Sequence, residues 1–317
     1  MLRVIAIDGG YEDYGREARI LAPVGAGFEV IPCGGDAASI ADRIADADAL
    51  MVRESRISGA VMAALPRLRG IVRYGIGVDN IDLEAARQRR IAVANVPDYG
   101  TEEVSDQALA LLLAVARRVA TRDAGVRRGR WNVSREEPMY RLAGKTLGLL
   151  GYGRIARAVE RKLRAFGIER VCVYDPYVTQ WPPGVSAMSA DEVCRQADYL
   201  SVHAPLTPQT RHLLDANRIA LLKPTAIVVN TARGGLIDEA ALVAALQERR
   251  IFGAGLDVFE NEPPVPGNPL FALDNVVVSD HTGWYSEESV RDLQEGAARE
   301  VARILAGEPP RSWINPW

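Results

Sequence analysis

The sequence predicts an α/β protein with two doubly wound parallel sheets, and three observations support this fold class. The chain has 317 residues, more than one ordinary hydrophobic core accommodates. Hydrophobic residues make up 48% of the chain, as in a well-buried globular protein. Short β-branched runs alternate with helical patterns along its length, which is typical of parallel β-α-β units. We therefore expect two domains, each with its own sheet.

The first domain is predicted to begin with five strands that alternate with helices. These strands lie at residues 3–7, 28–31, 49–52, 70–73 and 91–94. A long, mostly apolar helix follows up to residue 119, and Thr101 is a plausible N-cap for it. Glu102 and Glu103 suit the positive end of the helix dipole. This helix is expected to connect the first domain to the second.

The second domain is predicted to contain six strands separated by helical stretches. They lie at residues 146–150, 170–174, 199–202, 226–230, 253–256 and 275–279. Ser189 with Glu192 three positions later predicts a capping box, and Asp238 is a good N-cap for a later helix. The amphipathic stretch 286–305 is expected to return to the first domain. The domain boundaries that follow are residues 1–98 plus 286–317 for the first domain and residues 99–285 for the inserted second domain.

Charge and cysteine content exclude several classes of partner. The formal net charge is -3, so no basic surplus favours a nucleic acid or an anionic membrane. Cys33, Cys172 and Cys194 are widely spaced and form no Cys/His cluster, which predicts free thiols and no metal site. The sequence contains no run of about 18 apolar residues, so it predicts no membrane span. We therefore expect a cytoplasmic protein with a small-molecule ligand.

One arginine-rich segment resembles a basic patch. It lacks the interleaved aromatic residues on which nucleic-acid bases stack, and we interpret it as a solvated or dimer-facing surface. Its members are Arg117, Arg118, Arg122, Arg127, Arg128 and Arg130.

A glycine-rich turn in the second domain predicts a dinucleotide site. Gly151-Tyr152-Gly153-Arg154-Ile155-Ala156 fits the G-x-G-x-x-G/A pattern and follows the predicted strand that ends at Leu150. The glycines permit a tight turn, and the N-terminus of the next helix can bind a pyrophosphate. Such a triplet is by itself also compatible with a simple glycine turn. The next strand decides between the two.

Asp175 ends that next strand, at about the separation of roughly 20 residues expected for a carboxylate that binds the adenosine ribose. An acidic residue here favours NAD over NADP, because a 2′-phosphate would meet its negative charge. No basic pair follows in Pro176, Tyr177 and Val178. The alternative is that Asp175 merely starts an Asp-Pro turn. We expect a Rossmann-type domain that binds NAD.

Further polar residues gather at the predicted carboxyl ends of the strands, where open α/β sheets bind ligands. They are Asp175, His203, Arg233, Asp257 and His281, with Glu262 in the loop after Asp257. Reducing a 2-keto acid requires a cation for the carboxylate, a polariser of the carbonyl and a proton donor. Arg233 suits the first two tasks with its planar fork, and Gly234-Gly235 should leave its approach open. A structural salt bridge is the alternative for Arg233.

Three histidines are candidates for the acid/base. His281 follows the last predicted strand and precedes Thr282-Gly283, so we expect it to point into the site. Glu262 would hydrogen-bond the second ring nitrogen of His281, orient the ring and favour its protonated form. His203 precedes Ala204-Pro205, where cofactor contact and packing are both open. His212 is expected at the surface.

Several motifs, in order and spacing, resemble those of the D-isomer-specific 2-hydroxyacid dehydrogenases from roughly residue 45 to the end. They are Tyr74-Gly75-Ile76-Gly77-Val78-Asp79-Asn80-Ile81-Asp82, the glycine turn at Gly151, His203-Ala204-Pro205-Leu206-Thr207, Asn230-Thr231-Ala232-Arg233-Gly234-Gly235, Leu256-Asp257-Val258 with Glu262-Pro263, and His281. The resemblance implies a flavodoxin-like substrate (catalytic) domain at residues 1–98 and 286–317, and an inserted Rossmann NAD-binding domain at residues 99–285. It also implies a homodimer formed through the cofactor domains.

The same resemblance implies residue roles. Arg233, Glu262 and His281 match the catalytic arginine, glutamate and histidine of the family, and the backbone N–H groups of Gly75 and Ile76 would bind the substrate carboxylate. Asp257 would reach the nicotinamide side of the cofactor. The residues expected at the cofactor are Gly151, Tyr152, Gly153, Arg154, Ile155, Asp175, His203, Ala204, Thr231, Ala232, Arg233, Asp257, His281, Gly283 and Val104.

A second class of function stays open at this point. Ile71-Val72-Arg73 and the stretch from His281 to Glu287 look most like the C-terminal-binding protein branch of the family, whose animal members act as NAD(H)-responsive corepressors. An NAD(H)-sensing dimeric scaffold is therefore the alternative to the enzyme. We favour the dehydrogenase, because the catalytic set is complete in this sequence.

The identity of the substrate depends on side chains whose directions a sequence does not show. Arg53 and Arg73, if both face the substrate, would favour a dicarboxylate, phosphorylated or sulfonated acid. Trp284, if it lines the pocket, would instead favour an apolar tail. For Arg53 a solvated charge is the alternative. Asp280 stands where the family usually has a proline before its catalytic histidine.

Overall fold

The computed structural model of the protein describes residues 1–131 and 138–317. The chain divides into two compact units, Met1–Gly100 with Ser286–Trp317 as unit 1 and Thr101–Tyr285 as unit 2. Each unit contains one parallel sheet, so the predicted fold class is confirmed. Within the described residues, no helix combines the length and apolar character needed to cross a membrane.

Unit 1 is built on a five-stranded sheet. Its strands are β1 Leu2–Ala6, β2 Ala26–Val30, β3 Ala49–Val52, β4 Gly70–Arg73 and β5 Ala92–Ala94. They are parallel and lie in the order β2-β1-β3-β4-β5, which is the flavodoxin-like order. The four helices that follow the early strands are α1 Gly15–Leu21, α2 Ala41–Ile44, α3 Gly59–Ala63 and α4 Leu83–Gln88. Ser58 and Asp82 cap α3 and α4 by accepting backbone N–H groups.

Unit 2 is built on a seven-stranded parallel sheet. Its strands are β6 Thr146–Leu150, β7 Arg170–Tyr174, β8 Val185–Ala187, β9 Tyr199–Val202, β10 Ile227–Asn230, β11 Gly253–Leu256 and β12 Val276–Val278. The order is β12-β11-β10-β9-β6-β7-β8, so the chain changes direction of winding between β6 and β9. Ligands of doubly wound sheets bind at this switch point, outside the carboxyl ends of the strands.

The prediction of six strands for unit 2 missed β8. This strand has only three residues, two of them exposed, and lies at the edge of the sheet next to β7. A short, partly exposed edge strand carries no continuous apolar run, so hydrophobic periodicity does not reveal it.

The helices of unit 2 cover its sheet. They are α5 Thr101–Ala116, α6 Val119–Arg127, α7 Arg154–Arg164, α8 Ala190–Gln196, α9 Ala216–Ala220 and α10 Glu239–Gln247. The predicted capping box at Ser189 and the N-cap at Asp238 are both present. The helix predicted to reach residue 119 ends at Ala116, because Arg118 adopts the left-handed conformation with φ 52° and α6 then begins.

Two glycines of β11 let α5 approach the sheet closely. A Cβ atom on Gly255 would lie 2.7 Å from Leu111 Cβ, and one on Gly253 would lie 2.7 Å from Val115 Cγ1. No larger residue fits at these positions without moving the helix. Val104 lies in the same helix and is buried.

The last helix, α11 Glu287–Leu305, belongs to unit 1, as the predicted return requires. Ser286 caps it by accepting the Ser289 N–H group. Its buried face contacts β4, where Gly70 leaves room: a Cβ atom there would lie 2.8 Å from Ile304. The helix therefore closes one face of the five-stranded sheet.

Candidate active site

The glycine turn after β6 has the geometry that a pyrophosphate needs. Gly151 has φ 93°, and a Cβ atom on it would lie 2.7 Å from the Ala204 nitrogen and 2.8 Å from the His203 carbonyl carbon. Only glycine therefore fits where this turn crosses the loop after β9. Gly153 is the N-cap of α7, no side chain caps the helix there, and a Cβ atom would meet nothing within 4 Å. The first N–H groups of α7 are thus accessible to an anion.

The other residues of the turn differ in exposure. The Tyr152 side chain is buried and its hydroxyl donates to Glu160, while Ile155 packs on the core. Arg154 is exposed at the first position of α7. Tyr152 and Ile155 therefore shape the turn from the inside, whereas Arg154 lies on the outside.

Asp175 lies beside this turn at the end of β7. Its Oδ2 accepts the Tyr152 N–H group at 2.8 Å, and its Oδ1 accepts the Tyr177 N–H group at 2.9 Å. The second bond is the Asp-Pro turn foreseen as the alternative, and the first holds the carboxylate against the glycine turn. A carboxylate has about four acceptor sites, so the partly exposed Asp175 can also accept ribose hydroxyls.

His203 and the residues after β10 line the same edge of the sheet. Burial lowers the pKa of His203 to about 4, so the ring is neutral near pH 7, and its Nε2 lies 2.8 Å from Ser201 Oγ. Ala204 is buried next to it. Thr231 Oγ1 is also buried and has no hydrogen-bond partner among the described residues. A ligand hydroxyl or amide at this edge would satisfy it.

These residues fit a dinucleotide. The accessible N-terminus of α7 would hold the pyrophosphate, and Asp175 would hold the ribose. Thr231, with its unsatisfied hydroxyl, and the adjacent Ala232 lie at the end of β10 and complete the edge. The neutral His203 adds no charge there.

Arg233 is positioned by the side chain of Asn230. The Asn230 Nδ2 group donates to the Arg233 carbonyl at 2.9 Å, and its Oδ1 accepts the Ala232 N–H group at 3.0 Å. The guanidinium Nη1 in turn donates to the Ala232 carbonyl at 2.8 Å. Asn230 is fully buried, so its amide fixes the course of the loop that presents Arg233.

Gly234 has a packing role that the sequence reasoning did not foresee. A Cβ atom on Gly234 would lie 1.9 Å from the carbonyl carbon of Phe259. The glycine is needed because the loop after β10 packs against the backbone of the loop that carries Glu262. It thus brings Arg233 and Glu262 into the same region of unit 2.

His281 and Glu262 form a hydrogen-bonded pair. His281 Nδ1 lies 2.6 Å from Glu262 Oε2, and Glu262 Oε1 accepts the Phe259 N–H group at 2.9 Å. Burial acts to raise the pKa of Glu262, but these two hydrogen bonds and the charges of His281 and Arg233 outweigh it and hold the pKa below its ordinary value. Glu262 is therefore a carboxylate, which means that His281 Nδ1 is the donor. Both side chains are about one-third exposed, at 38% for His281 and 35% for Glu262.

The backbone of the His281 loop is held by Asp257. His281 has φ 58°, and its N–H group donates to the Asp257 carbonyl at 2.9 Å. The buried Asp257 carboxylate accepts the Ser279 hydroxyl at 2.6 Å and the N–H groups of Thr282 and Gly283 at 3.2 and 2.9 Å. Asp257 therefore acts on the loop around His281, and its expected reach to the nicotinamide stays a prediction. Trp284 follows in this loop, half-buried and edge-on to Tyr285.

In unit 1, the remaining predicted residues lie at the carboxyl edge of its own sheet. Arg73 ends β4 and donates from Nε to the Arg53 carbonyl at 3.2 Å. Gly75 has φ 142°, and its N–H group donates to the Arg73 carbonyl at 2.9 Å. The Ile76 carbonyl accepts the Asn95 amide at 2.6 Å. Because the Gly75 N–H group already has this acceptor, its expected contact with a substrate carboxylate requires that bond to be shared.

Sequence reasoning missed several residues that hold the loops of the two units. Asp8 was not singled out, yet its Oδ2 accepts the N–H groups of Arg53, Glu54 and Ser55 at 2.7, 3.1 and 3.3 Å. Asn95 was likewise not singled out, and Asn230 was named only as part of the motif that contains Arg233. All three follow or end a strand, so applying the strand-end argument to both sheets would have found them.

Comparisons with known proteins identify the family of the chain. A family model described as D-isomer specific 2-hydroxyacid dehydrogenase, NAD binding domain, matches residues 109–283. The chain is 40% identical to a D-3-phosphoglycerate dehydrogenase of Methanocaldococcus jannaschii over 99% of its own length, but it spans only 60% of that protein. It is also 40% identical to a glyoxylate reductase of Korarchaeum cryptofilum, over 87% of this chain and 85% of the relative.

A solved structure shows the same fold along the whole chain. D-lactate dehydrogenase from Aquifex aeolicus, complexed with NAD and lactic acid, superposes with a TM-score of 0.88 at 25% identity and 99% coverage of both chains. The family model covers more than half of this chain, and it includes the glycine turn, Asp175, Arg233 and Glu262. The chain belongs to the D-isomer specific 2-hydroxyacid dehydrogenase family.

Proposed function

We propose that the protein is an NAD-dependent oxidoreductase that interconverts a 2-keto acid and the corresponding D-2-hydroxy acid. The observation that carries this proposal is the 2.6 Å hydrogen bond between His281 Nδ1 and Glu262, close enough to Arg233 for its charge to act on Glu262. A carboxylate-oriented imidazole beside a guanidinium is the set of groups that 2-keto acid reduction requires.

The three residues of the set have different tasks. Glu262 accepts the Nδ1 proton of His281 and so leaves Nε2 to exchange a proton with the substrate oxygen. In reduction, Nε2 donates its proton to the carbonyl oxygen as a hydride arrives at carbon; in oxidation, Nε2 takes the hydroxyl proton. Arg233 binds the substrate carboxylate and polarises the carbonyl. NAD, when bound, supplies or accepts the hydride.

We propose that unit 2 binds the cofactor and that Asp175 makes it prefer NAD(H). The carboxylate beside the glycine turn would accept hydrogen bonds from the ribose hydroxyls and repel a 2′-phosphate. Unit 1, with Gly75 and Ile76 at the carboxyl edge of its sheet, would be the substrate domain.

A homodimer formed through unit 2 is part of the proposal. Several apolar side chains are exposed on α6 and the segments flanking residues 132–137, which favours contact with a second copy. They are Val119, Val126, Trp131, Met139 and Tyr140. Light scattering after gel filtration would give a mass near twice 34.5 kDa if the proposal is correct.

The alternative function, an NAD(H)-sensing scaffold, receives no support from the relatives, whose names are those of dehydrogenases and reductases. The experiment that separates the two is NADH oxidation by the purified protein with a panel of 2-keto acids. The panel contains glyoxylate, pyruvate, 2-oxobutyrate, hydroxypyruvate, phosphohydroxypyruvate, oxaloacetate, sulfopyruvate and branched or aromatic 2-keto acids. Turnover with any of these supports the enzyme; tight NADH binding without turnover contradicts it.

A further inference from the structure

The face of α5 that packs on β11 extends beyond the end of that strand. A Cβ atom on Gly255 of β11 would lie 2.7 Å from Leu111 Cβ, so the helix and the strand are in close contact there. Residues four apart share a face of a helix, and alternate residues share a face of a strand. The next residues in these two series are Gln107 on the helix and Asp257, which directly follows β11. A Cβ atom on Gly283 would lie 3.0 Å from Gln107 Cγ and 2.7 Å from Asp257 Oδ2, so these two side chains meet at the carboxyl end of β11.

Gln107 begins a chain of hydrogen bonds that leads to Asp257. Its Nε2 group donates to Ser279 Oγ at 2.8 Å, and the Ser279 hydroxyl donates to Asp257 Oδ1 at 2.6 Å. A serine hydroxyl has one proton and a carboxylate can only accept, so the Ser279 proton lies on the bond to Asp257. Gln107 must therefore present its NH2 group, and not its amide oxygen, to Ser279. The three side chains form one directional chain from α5 to a buried carboxylate.

This chain of hydrogen bonds ends on the residue that holds the backbone around His281. The Asp257 carboxylate accepts the N–H groups of Thr282 and Gly283 at 3.2 and 2.9 Å. The Asp257 carbonyl accepts the His281 N–H group at 2.9 Å. His281 has φ 58°, a left-handed conformation that costs a non-glycine residue free energy and persists only where surrounding contacts hold it. The direction of the His281 ring towards Glu262 therefore depends on how the Asp257 carboxylate is oriented.

From this geometry we infer that Gln107 is a positioning residue for His281, the acid/base of the proposed function on which this inference rests. The Gln107 amide orients the Ser279 hydroxyl, the hydroxyl orients the Asp257 carboxylate, and the carboxylate holds the backbone that presents the ring. All of these groups belong to unit 2. Helix α5 therefore has a role in proton transfer besides its packing on the sheet, because it fixes the place from which His281 Nε2 meets the substrate oxygen.

Replacing the Gln107 amide tests this role. Gln107→Leu keeps the approximate size of the side chain but removes its donor, so kcat should fall by about three- to tenfold. The KM for the keto acid should change by less than about twofold, because Arg233, the proposed carboxylate clamp, is outside the chain of hydrogen bonds. Gln196→Leu is the matched control: Gln196 is also partly exposed, ends α8 of unit 2, and donates to the weak acceptor Met188 Sδ at 3.2 Å. An unchanged kcat in Gln107→Leu, or an equal fall in the control, overturns the inference.

Variants of Ser279 test whether the side chains act as one unit. Ser279→Ala should lower kcat at least as much as Gln107→Leu, because it removes the link between Gln107 and Asp257. The double variant should be no less active than Ser279→Ala alone, since either change breaks the same chain of hydrogen bonds. Ser279→Thr keeps the hydroxyl and should retain most of the natural kcat. Losses that multiply in the double variant would show two independent roles and contradict the inference.

Nuclear magnetic resonance of the histidine rings keeps the inference separate from the proposed function. The chain has three histidines, and the ring signals of His281 are those that disappear in His281→Gln. If the natural protein turns over no keto acid, the proposed function fails, and these signals alone test the position of the ring. Gln107→Leu should shift the His281 signals and leave those of His212, which pairs with Glu260, in place. His281 signals that stay in place in Gln107→Leu would overturn the inference.

Discussion

At the scale of single residues, the proposed function depends on the hydrogen bond between His281 and Glu262. The Glu262 carboxylate is kept ionised by hydrogen bonds from His281 and Phe259 and by the charge of Arg233, although burial opposes this. An ionised partner on Nδ1 fixes which ring nitrogen faces the substrate. The pair is only partly buried, so a substrate can reach it from solvent.

Replacing His281 tests the acid/base. His281→Ala should lower kcat by about 100-fold or more, because the proton donor to the carbonyl oxygen is lost, while NADH binding is largely kept. Steady-state kinetics and NADH fluorescence titration measure the two effects. His212→Gln is the control, since His212 pairs with Glu260 rather than Glu262. Full activity in His281→Ala would remove this residue from the mechanism.

Replacing Arg233 tests the carboxylate clamp. Arg233→Lys should reduce kcat/KM by about 100-fold, because a point charge cannot reproduce the planar, bidentate fork. Arg211→Lys provides the comparison: this arginine pairs with Glu260 at 2.7 Å, is 56% exposed, and its change should have little effect. Near-normal kinetics in Arg233→Lys would mean that another cation binds the carboxylate.

Replacing Asp175 tests cofactor choice. Asp175→Ala should narrow the preference for NADH over NADPH by about tenfold or more, since the 2′-phosphate no longer meets a like charge. The measurement is kcat/KM for each cofactor at saturating keto acid. An unaltered ratio would show that Asp175 serves only the turn that it forms with the N–H groups of Tyr152 and Tyr177.

At the scale of elements, residues outside the proposed catalytic set hold together the loops that follow neighbouring strands. Gly234 lets the loop after β10 touch the backbone of Phe259, three residues before Glu262. Asp257 directly follows β11, and its carboxylate accepts hydrogen bonds from the loop that follows β12 and contains His281. The catalytic groups are thus positioned by contacts between loops rather than by the strands alone.

A Cβ atom at Gly234 should disturb this packing. Gly234→Ala should lower the free energy of unfolding by about 1–3 kcal/mol and reduce kcat as the Glu262 loop moves. Urea unfolding and steady-state kinetics measure both. Gly15→Ala is the control: Gly15 is exposed in the first turn of α1, where a Cβ atom would meet only the Asp13 side chain, at 3.2 Å. Equal stability of the two variants would contradict the packing argument.

At the scale of the whole molecule, the free energy of unfolding should decrease at acidic pH because of His203. Its folded-state pKa is about 4, below the ordinary value of 6.5, so the unfolded chain binds a proton that the folded protein excludes. This part of the stability is present above pH 6.5 and is lost as pH falls from 6.5 towards 4. His203→Gln should therefore show a smaller decrease of Tm over this range. An identical decrease in both proteins would contradict the burial of His203 as a source of acid sensitivity.

The sequence by itself determined the fold class and selected the glycine turn and the proposed catalytic set. Strand periodicity, helix caps at Ser189 and Asp238, and the glycine turn at Gly151 are local signals, so they are readable without the fold. Residues after parallel strand ends must share one edge of a sheet, which is why Arg233, Glu262 and His281 could be selected before their distances were known.

Only the tertiary structure decided which residues that lie far apart in the sequence are in contact. Three contacts depend on how separate loops meet in the folded chain. They are the 2.6 Å contact of His281 with Glu262, the packing of Gly234 on Phe259, and the hydrogen bonds from Asp8 to the loop that begins at Arg53. The edge strand β8 also depends on such a contact, because its three residues, two of them exposed, form a strand by pairing with β7. Such contacts carry no local periodicity, because their energy comes from partners that the folded chain brings together.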